Sequence, residues 1–427
     1  MTEPSTTRRG VLSVAGATLL TGCSALDSRT DDNEAISALR LREVVPEGAD
    51  DPIVADSLPV AIERSTLAAS AQRVDDLLAD LPIPFGPESV PNGHIRQRLT
   101  EAAEEATDRV EEARTAPSRL VALNKLQWAQ SEARYAAAGW AFADRGLTEA
   151  ELRSEHQAIV SEANSFDSEF AYLGTDPITA SLVYGQAERF MDSVLDDGQT
   201  PTNWESSQLL TVAEWGDHVE TARVQLDDAR YLYDRYQSTL PDDAGSVADR
   251  LSTAVETLRS DLQRRRKGLP GAPTDDDNRL RWRLRDDIRS DAESSVDRVD
   301  EAPGPATDLS MATRGLTALL AHDRLTDRLE DGETFGVETA ADVRDARTAA
   351  VDAITAALDE SPRTALVRPI LADAARSVSF ADDRLAAFDG DVRPSRLDHP
   401  IVEYTAATLR ARSVPAASET VLDALDT

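Results

Sequence analysis

Between residues 212 and 240 an apolar or aromatic residue returns every seven positions: Val212, Val219, Leu226, Tyr233 and Leu240. Trp215, Ala222, Ala229 and Tyr236 stand three places further along in each repeat. These are the a and d positions of a helix that packs along its length against partner helices. A strand cannot use this spacing, because its side chains alternate with a period of two. Val121, Trp128, Tyr135 and Phe142 form a second row with the same step, and Ala138 and Gly139 beside it leave room for close helix approach.

The rest of the chain is punctuated to match. Pro and Gly residues interrupt it at intervals of roughly 20 to 35 residues, the length of a long helix and its link. Pro117 separates a helix over 92–115 from one running to Arg145 and Gly146. Thr148 with Glu151 has capping-box spacing, and Asp176-Pro177 has the form of a helix start. Pro241 closes the helix that begins near Thr202, Gly268 and Pro270 close the next, and Thr274-Asp275-Asp276-Asp277 caps another. The alternating Arg279-to-Arg285 stretch is read as helix, since Leu280, Leu284, Ile288 and Val296 carry a helical stripe through it. The expectation is an all-α protein of long antiparallel helices, in up-down bundles or a stacked helical-hairpin array. Two bundles are expected, 57–200 and 201–427, preceded by a tether or first cap with a short helix over 23–56. No fixed repeat of a named solenoid family is found.

Charge narrows the setting. Formal net charge is −33, and only Lys125 and Lys267 among the 45 basic residues are lysine. A strong acidic excess with scarce lysine resembles haloarchaeal proteins. Physically, carboxylates hold water and cations at molar salt, where screening shortens to about 3 Å and removes self-repulsion. Acidity is then a solvation device, and it gives no ground for nucleic-acid binding, which needs clustered positive charge. One stretch inverts the pattern. Residues 259–289 include Arg264, Arg265, Arg266 and Lys267, followed by Arg279, Arg281, Arg283, Arg285 and Arg289. They form either a contact surface for lipid headgroups, acidic glycans or another surface protein, or internal partners for the abundant carboxylates. Arg264, Arg265, Arg266 and Lys267 are the candidate contact patch.

The N-terminus carries an address. Arg8-Arg9 precede a short apolar run that ends in Leu20-Thr21-Gly22-Cys23. A basic start, an apolar core too short to span a bilayer and small residues before a cut site form a secretory signal. Residues 1–22 resemble a twin-arginine leader, the type that exports folded proteins, and the last four positions resemble a lipobox. The resemblance implies that Cys23, the single cysteine, is lipidated and becomes the new N-terminus. The protein would then sit on the outer face of the cytoplasmic membrane, with no disulfide and no free thiol.

Catalytic motifs fail one by one. The chain holds no phosphate-binding G-x-x-x-x-G-K-[ST], no G-x-S-x-G elbow and no H-E-x-x-H. Around His218, Trp215-Gly216-Asp217-His218-Val219-Glu220 resembles the G-x-H-x-x-E signature of imelysin-like proteins, which are exported, all-helical and linked to iron handling. Glu220 stands two places after His218 instead of three, on a different helix face. Glu214, four places before, shares the face of His218, and the two are the weak metal candidates; the plainer alternative is a surface pair on a helix. Asp275-Asp276-Asp277 lacks the glycine and distal glutamate of a calcium loop and reads as an N-cap. The aromatic rows, including Tyr231, are expected as core rather than as a ligand groove. With no cofactor and no catalytic residue assigned, the expected role is a non-enzymatic surface scaffold or interaction module. The alternative is a ligand- or metal-capture lipoprotein working with a transporter.

Overall fold

A computed structural model describes residues 35–46, 53–196, 207–273 and 278–426. The leader, Arg8, Arg9, Cys23, the 198–203 boundary region and the Thr274–Asp277 cap lie outside the described residues. Within them the chain is all-α. It opens with β1 (Ile36–Ser37) and α1 (Ala38–Arg42), then α2 (Arg64–Leu78), α3 (Gly93–Arg114), α4 (Arg119–Arg145) and α5 (Glu149–Glu169). Next come β2 (Leu173–Gly174), α6 (Pro177–Leu195), α7 (Gln208–Gln237), β3 (Gly245–Ser246) and α8 (Ala248–Arg266). The last part holds α9 (Arg279–Asp297), α10 (Pro305–Glu330), α11 (Ala340–Glu360), α12 (Thr364–Ala386), β4 (Asp391–Val392) and α13 (Asp398–Leu425).

The helix starts have the chemistry of their sequences. Ser118 accepts from the Val121 amide, Asp176 from Thr179, Ser207 from Leu210 and Asn278 from Arg281. Thr148 and Glu151 close the expected capping box, and Thr339 with Asp342 makes a second. Each satisfies amides that the first helical turn leaves without partners. Gly146, at φ 73°, ends α4 in the left-handed region that favours glycine. Proline does not always break a helix here: Pro369 lies inside α12 and Pro415 inside α13.

The α7 seam is the centre of the packing. Val212, Trp215, Val219, Ala222, Leu226, Ala229 and Tyr236 are all buried. Tyr233 is half-buried, and Leu240 lies past the helix end. One core joins these residues to α4, α5, α6, α8, α10 and the C-terminal turns of α13. Helices α6 and α7, which flank the boundary expected near 198–203, pack against each other within it. A second core joins α11, α12 and α13 to Ile36, Ala38, Leu41, Val44 and Val54. The described part of the expected tether is therefore docked, with β1 paired antiparallel to β4.

The α4 row is offset from its expected face. Tyr135 is buried, but Trp128 is 63% exposed and stacks under the Arg109 guanidinium at 5.6 Å. Leu120, Leu123, Leu126, Ala129, Ala133 and Ala136 fill the interior instead. Helix α4 packs on α2, α3 and α7 at once, so small alanines on several faces outweigh one row of large rings. Gly139 does allow the expected close approach, with Leu99 and Ala213 against its Cα.

Candidate functional site

Where the N-terminal segment crosses from the second core to the first, it closes one side of a cavity of about 560 Å³. Asp56 and Leu58 come from that segment, Asn124 from α4, and Ser181, Gln186 and Arg189 from α6. The opposite walls are Asp291 and Ser295 of α9 with Arg298 just beyond it, Ser310 and Arg314 of α10, Pro369 and Asp373 of α12, and Arg410 of α13. Hydroxyl, amide, guanidinium and carboxylate groups thus converge on one concave space, the common form of a small-molecule site.

Its charges divide into paired and unpaired. Arg410 donates to Asp291 at 3.0 Å. Asp373 takes both Arg314 and Arg376. Arg298 donates to the Ser294 carbonyl at 3.3 Å and hydroxyl at 3.1 Å. Arg189 donates to the Gln186 side-chain oxygen at 2.5 Å, and among the described residues no carboxylate lies within ion-pair distance of it. Surrounding protein lowers the Arg189 pKa, with the fields of Asp56 and Glu188 opposing. Burial raises that of Asp56, against Arg376, Arg189 and Arg368. A guanidinium facing a cavity without a carboxylate partner is a donor fork open to an anion.

Beside Arg189, Glu188 fixes the geometry of the same wall. Its buried carboxylate accepts from the Thr307 amide at 2.6 Å, the Ala306 amide at 3.2 Å and the Tyr172 hydroxyl at 2.7 Å. It thereby caps the N-terminus of α10 from α6, where the helix dipole favours negative charge. Burial raises the Glu188 pKa, and the hydrogen bonds from Thr307, Tyr172 and Ala306 oppose that rise. Neither residue was singled out by motif. The signal available was local: Glu188 and Arg189 are the only adjacent opposite charges in α6.

The residues nominated by sequence fall elsewhere. His218 stacks on His156 with centroids 4.5 Å apart, edge-on to Trp215. Glu220 is 2% exposed and takes a bidentate fork from Arg73 at 2.8 and 2.9 Å. Among the described residues no group of three or more His, Cys, Asp or Glu side chains is placed to hold a metal ion, Glu214 and His218 included. In the candidate patch, Arg264 and Arg265 pair with Asp261 at 3.0 and 2.8 Å, and Arg266 with Asp297 at 2.6 Å. Lys267 is the C-cap of α8. The aromatic residues make a core cluster in which Phe170, Tyr172, Tyr184, Tyr233 and Tyr236 meet ring to ring.

No helix among the described residues is long and apolar enough to cross a membrane. No curated protein and no solved structure matches the chain. Residues 65–243 match the model of a family described as a domain of unknown function, DUF8262. Residues 248–423 match that of another domain of unknown function, DUF8264. The cavity takes α4 and α6 from the first matched region and α9, α10, α12 and α13 from the second, so it lies where the two meet.

Proposed function

We propose that this chain is an exported, lipid-anchored protein on the outer face of the cytoplasmic membrane whose helical body binds and does not catalyse. Its ligand is a small polar molecule with an anionic group, held in the cavity between the two matched regions. The observation that carries this reading is Arg189, a cavity-lining guanidinium whose neighbouring arginines have carboxylate or hydroxyl partners while it has only Gln186. The hydroxyls of Ser181, Ser295, Ser310 and Ser377 offer further donors and acceptors to a polar guest. Cys23 supplies the anchor, and a capture protein held at the membrane is suited to feeding a transporter. The surface-scaffold role expected from the sequence draws no support from the α7 seam, whose patterned faces are used in internal packing.

Native mass spectrometry of the protein isolated from its own membranes is the direct test. A small anion should be retained by the wild type, and Arg189→Gln should weaken its binding at least about tenfold, the cost of one charge-assisted hydrogen bond. No retained molecule, or equal retention by the variant, would overturn the ligand assignment.

A further inference from the structure

The basic stretch of the sequence splits on folding. Arg279 and Arg283, one turn apart on α9, face a second and more open pocket of about 630 Å³. Arg384 and Phe388 reach it from the end of α12, Arg396 from the following link and His399 from the first turn of α13. Asp287 is the one carboxylate in its lining. Asp398, just behind, takes Arg279 at 3.6 Å. Among the described residues Arg283, Arg384 and Arg396 have no carboxylate within ion-pair distance, in a chain with 78 acidic residues and 45 basic ones. Two of them are held on aromatic platforms: Arg384 lies 4.8 Å from the Phe380 ring centroid and Arg396 5.0 Å from that of Phe388. Such stacking fixes a guanidinium while leaving its N–H edge open.

Like charges gathered this closely repel unless an anion sits among them. We propose that this pocket is an oxyanion site for a phosphate-type group, presented by a membrane lipid headgroup or as free phosphate. Planar guanidiniums from three elements can grip the oxygens of a tetrahedral anion in bidentate fashion. The position of the chain's N-terminal segment favours the headgroup. Strand β1 pairs with β4, the Ala38 amide donates to the Gly390 carbonyl at 2.8 Å, and Arg42 donates to the Phe388 carbonyl at 2.7 Å. The described chain therefore begins beside this pocket, at Ala35, twelve positions after Cys23. A stretch of that length reaches at most roughly 40 Å. Leu39 is 66% exposed and Phe380 47% exposed, on α1 and α12, which pack against each other. The lipid source rests on the anchor at Cys23; the oxyanion chemistry does not.

The test uses the full chain as Cys23→Ser, in solution. Inorganic phosphate is titrated calorimetrically at constant ionic strength, and flotation is measured with vesicles of phosphatidylglycerol. Saturable binding in either arm, weakened at least tenfold in Arg384→Gln/Arg396→Gln and in Arg283→Gln, supports the site. Vesicle binding identifies the headgroup as the source, and phosphate binding alone identifies the free ion. Absence of binding in both arms, or binding equal in all variants, overturns it; circular dichroism and melting of each variant guard against misfolding. If Cys23→Ser instead stays in the host membrane fraction, the anchor falls while the phosphate titration still reads the pocket.

Discussion

Asp228 on α7 is 8% exposed, and its carboxylate accepts from the Gln127 side-chain amide of α4 at 2.6 Å. Burial pushes its pKa up to about 7, against that hydrogen bond. Glu132, on α4, is likewise pushed to about 7, chiefly by burial and then by Asp217 and Glu105. Both folded values lie above the unfolded ones, so the folded state binds more protons between pH 4 and 7. Their contribution is fully present below the unfolded pKa and is lost as pH rises toward 7. Asp228→Asn keeps an acceptor for Gln127 and cannot ionise. Its stability to chemical denaturation should gain on the wild type from pH 4 to pH 8, by on the order of 4 kcal/mol at the upper end. A gap that stays flat across that range would show Asp228 to be ionised at no cost. None of this could be read from sequence: with 78 acidic residues, which carboxylates lose water is decided by the fold. The same holds for Glu188 and Arg189, whereas His218, although conspicuous as a motif, is placed in an aromatic stack.

At the scale of elements, helix existence and most helix ends were legible, because capping chemistry and the apolar period are local. Asp176-Pro177, the Thr148 box and Gly146 act where their sequence says they should. Which face of α4 turns inward was not legible, since three partner helices share it and only the assembled packing chooses among them. The two-residue strands were missed for the same reason: β1 finds β4 across almost the whole chain. The α4–α7 contact shows how closely such choices are set. A Cβ on Gly216 would overlap that of Ala138 and come within 3.0 Å of the Arg134 carbonyl. In an open helix Gly→Ala stabilises by about 1 kcal/mol. Here Gly216→Ala should destabilise, because overpacking costs roughly 1–3 kcal/mol. Adding Ala138→Gly should recover most of the loss. Chemical denaturation of the two single variants and the double variant measures this coupling, and simple additivity would mean that the helices move apart freely.

Over the whole molecule, the sequence-matched halves at 65–243 and 248–423 share the central core, and the N-terminal segment runs across both. Many of the described arginines sit in ion pairs near the surface, such as Arg109 with Glu105 and Glu112, or Arg230 with Glu162. Exposed pairs of this kind contribute little individually and are weakened by salt. Opposing them is the repulsion of a net −33, which acts across the whole surface and is also screened by salt. The two effects have opposite signs, and their sizes decide the outcome. With 78 acidic against 45 basic residues, even complete pairing leaves more than thirty carboxylates facing one another. Screening that excess should outweigh the loss of the pairs. The melting temperature should therefore rise steadily from dilute buffer to molar KCl, where the screening length has fallen from tens of ångströms to about 3 Å. The deeper pairs make the internal control. Arg347 and Asp382, with side chains 13% and 9% exposed and the Tyr404 hydroxyl on the same carboxylate, are only slightly screened. Cutting that pair with Arg347→Met should lower the melting temperature by a similar amount at low and high salt. A salt-independent melt of the intact chain would instead mean that the acidic surface is not what sets its stability.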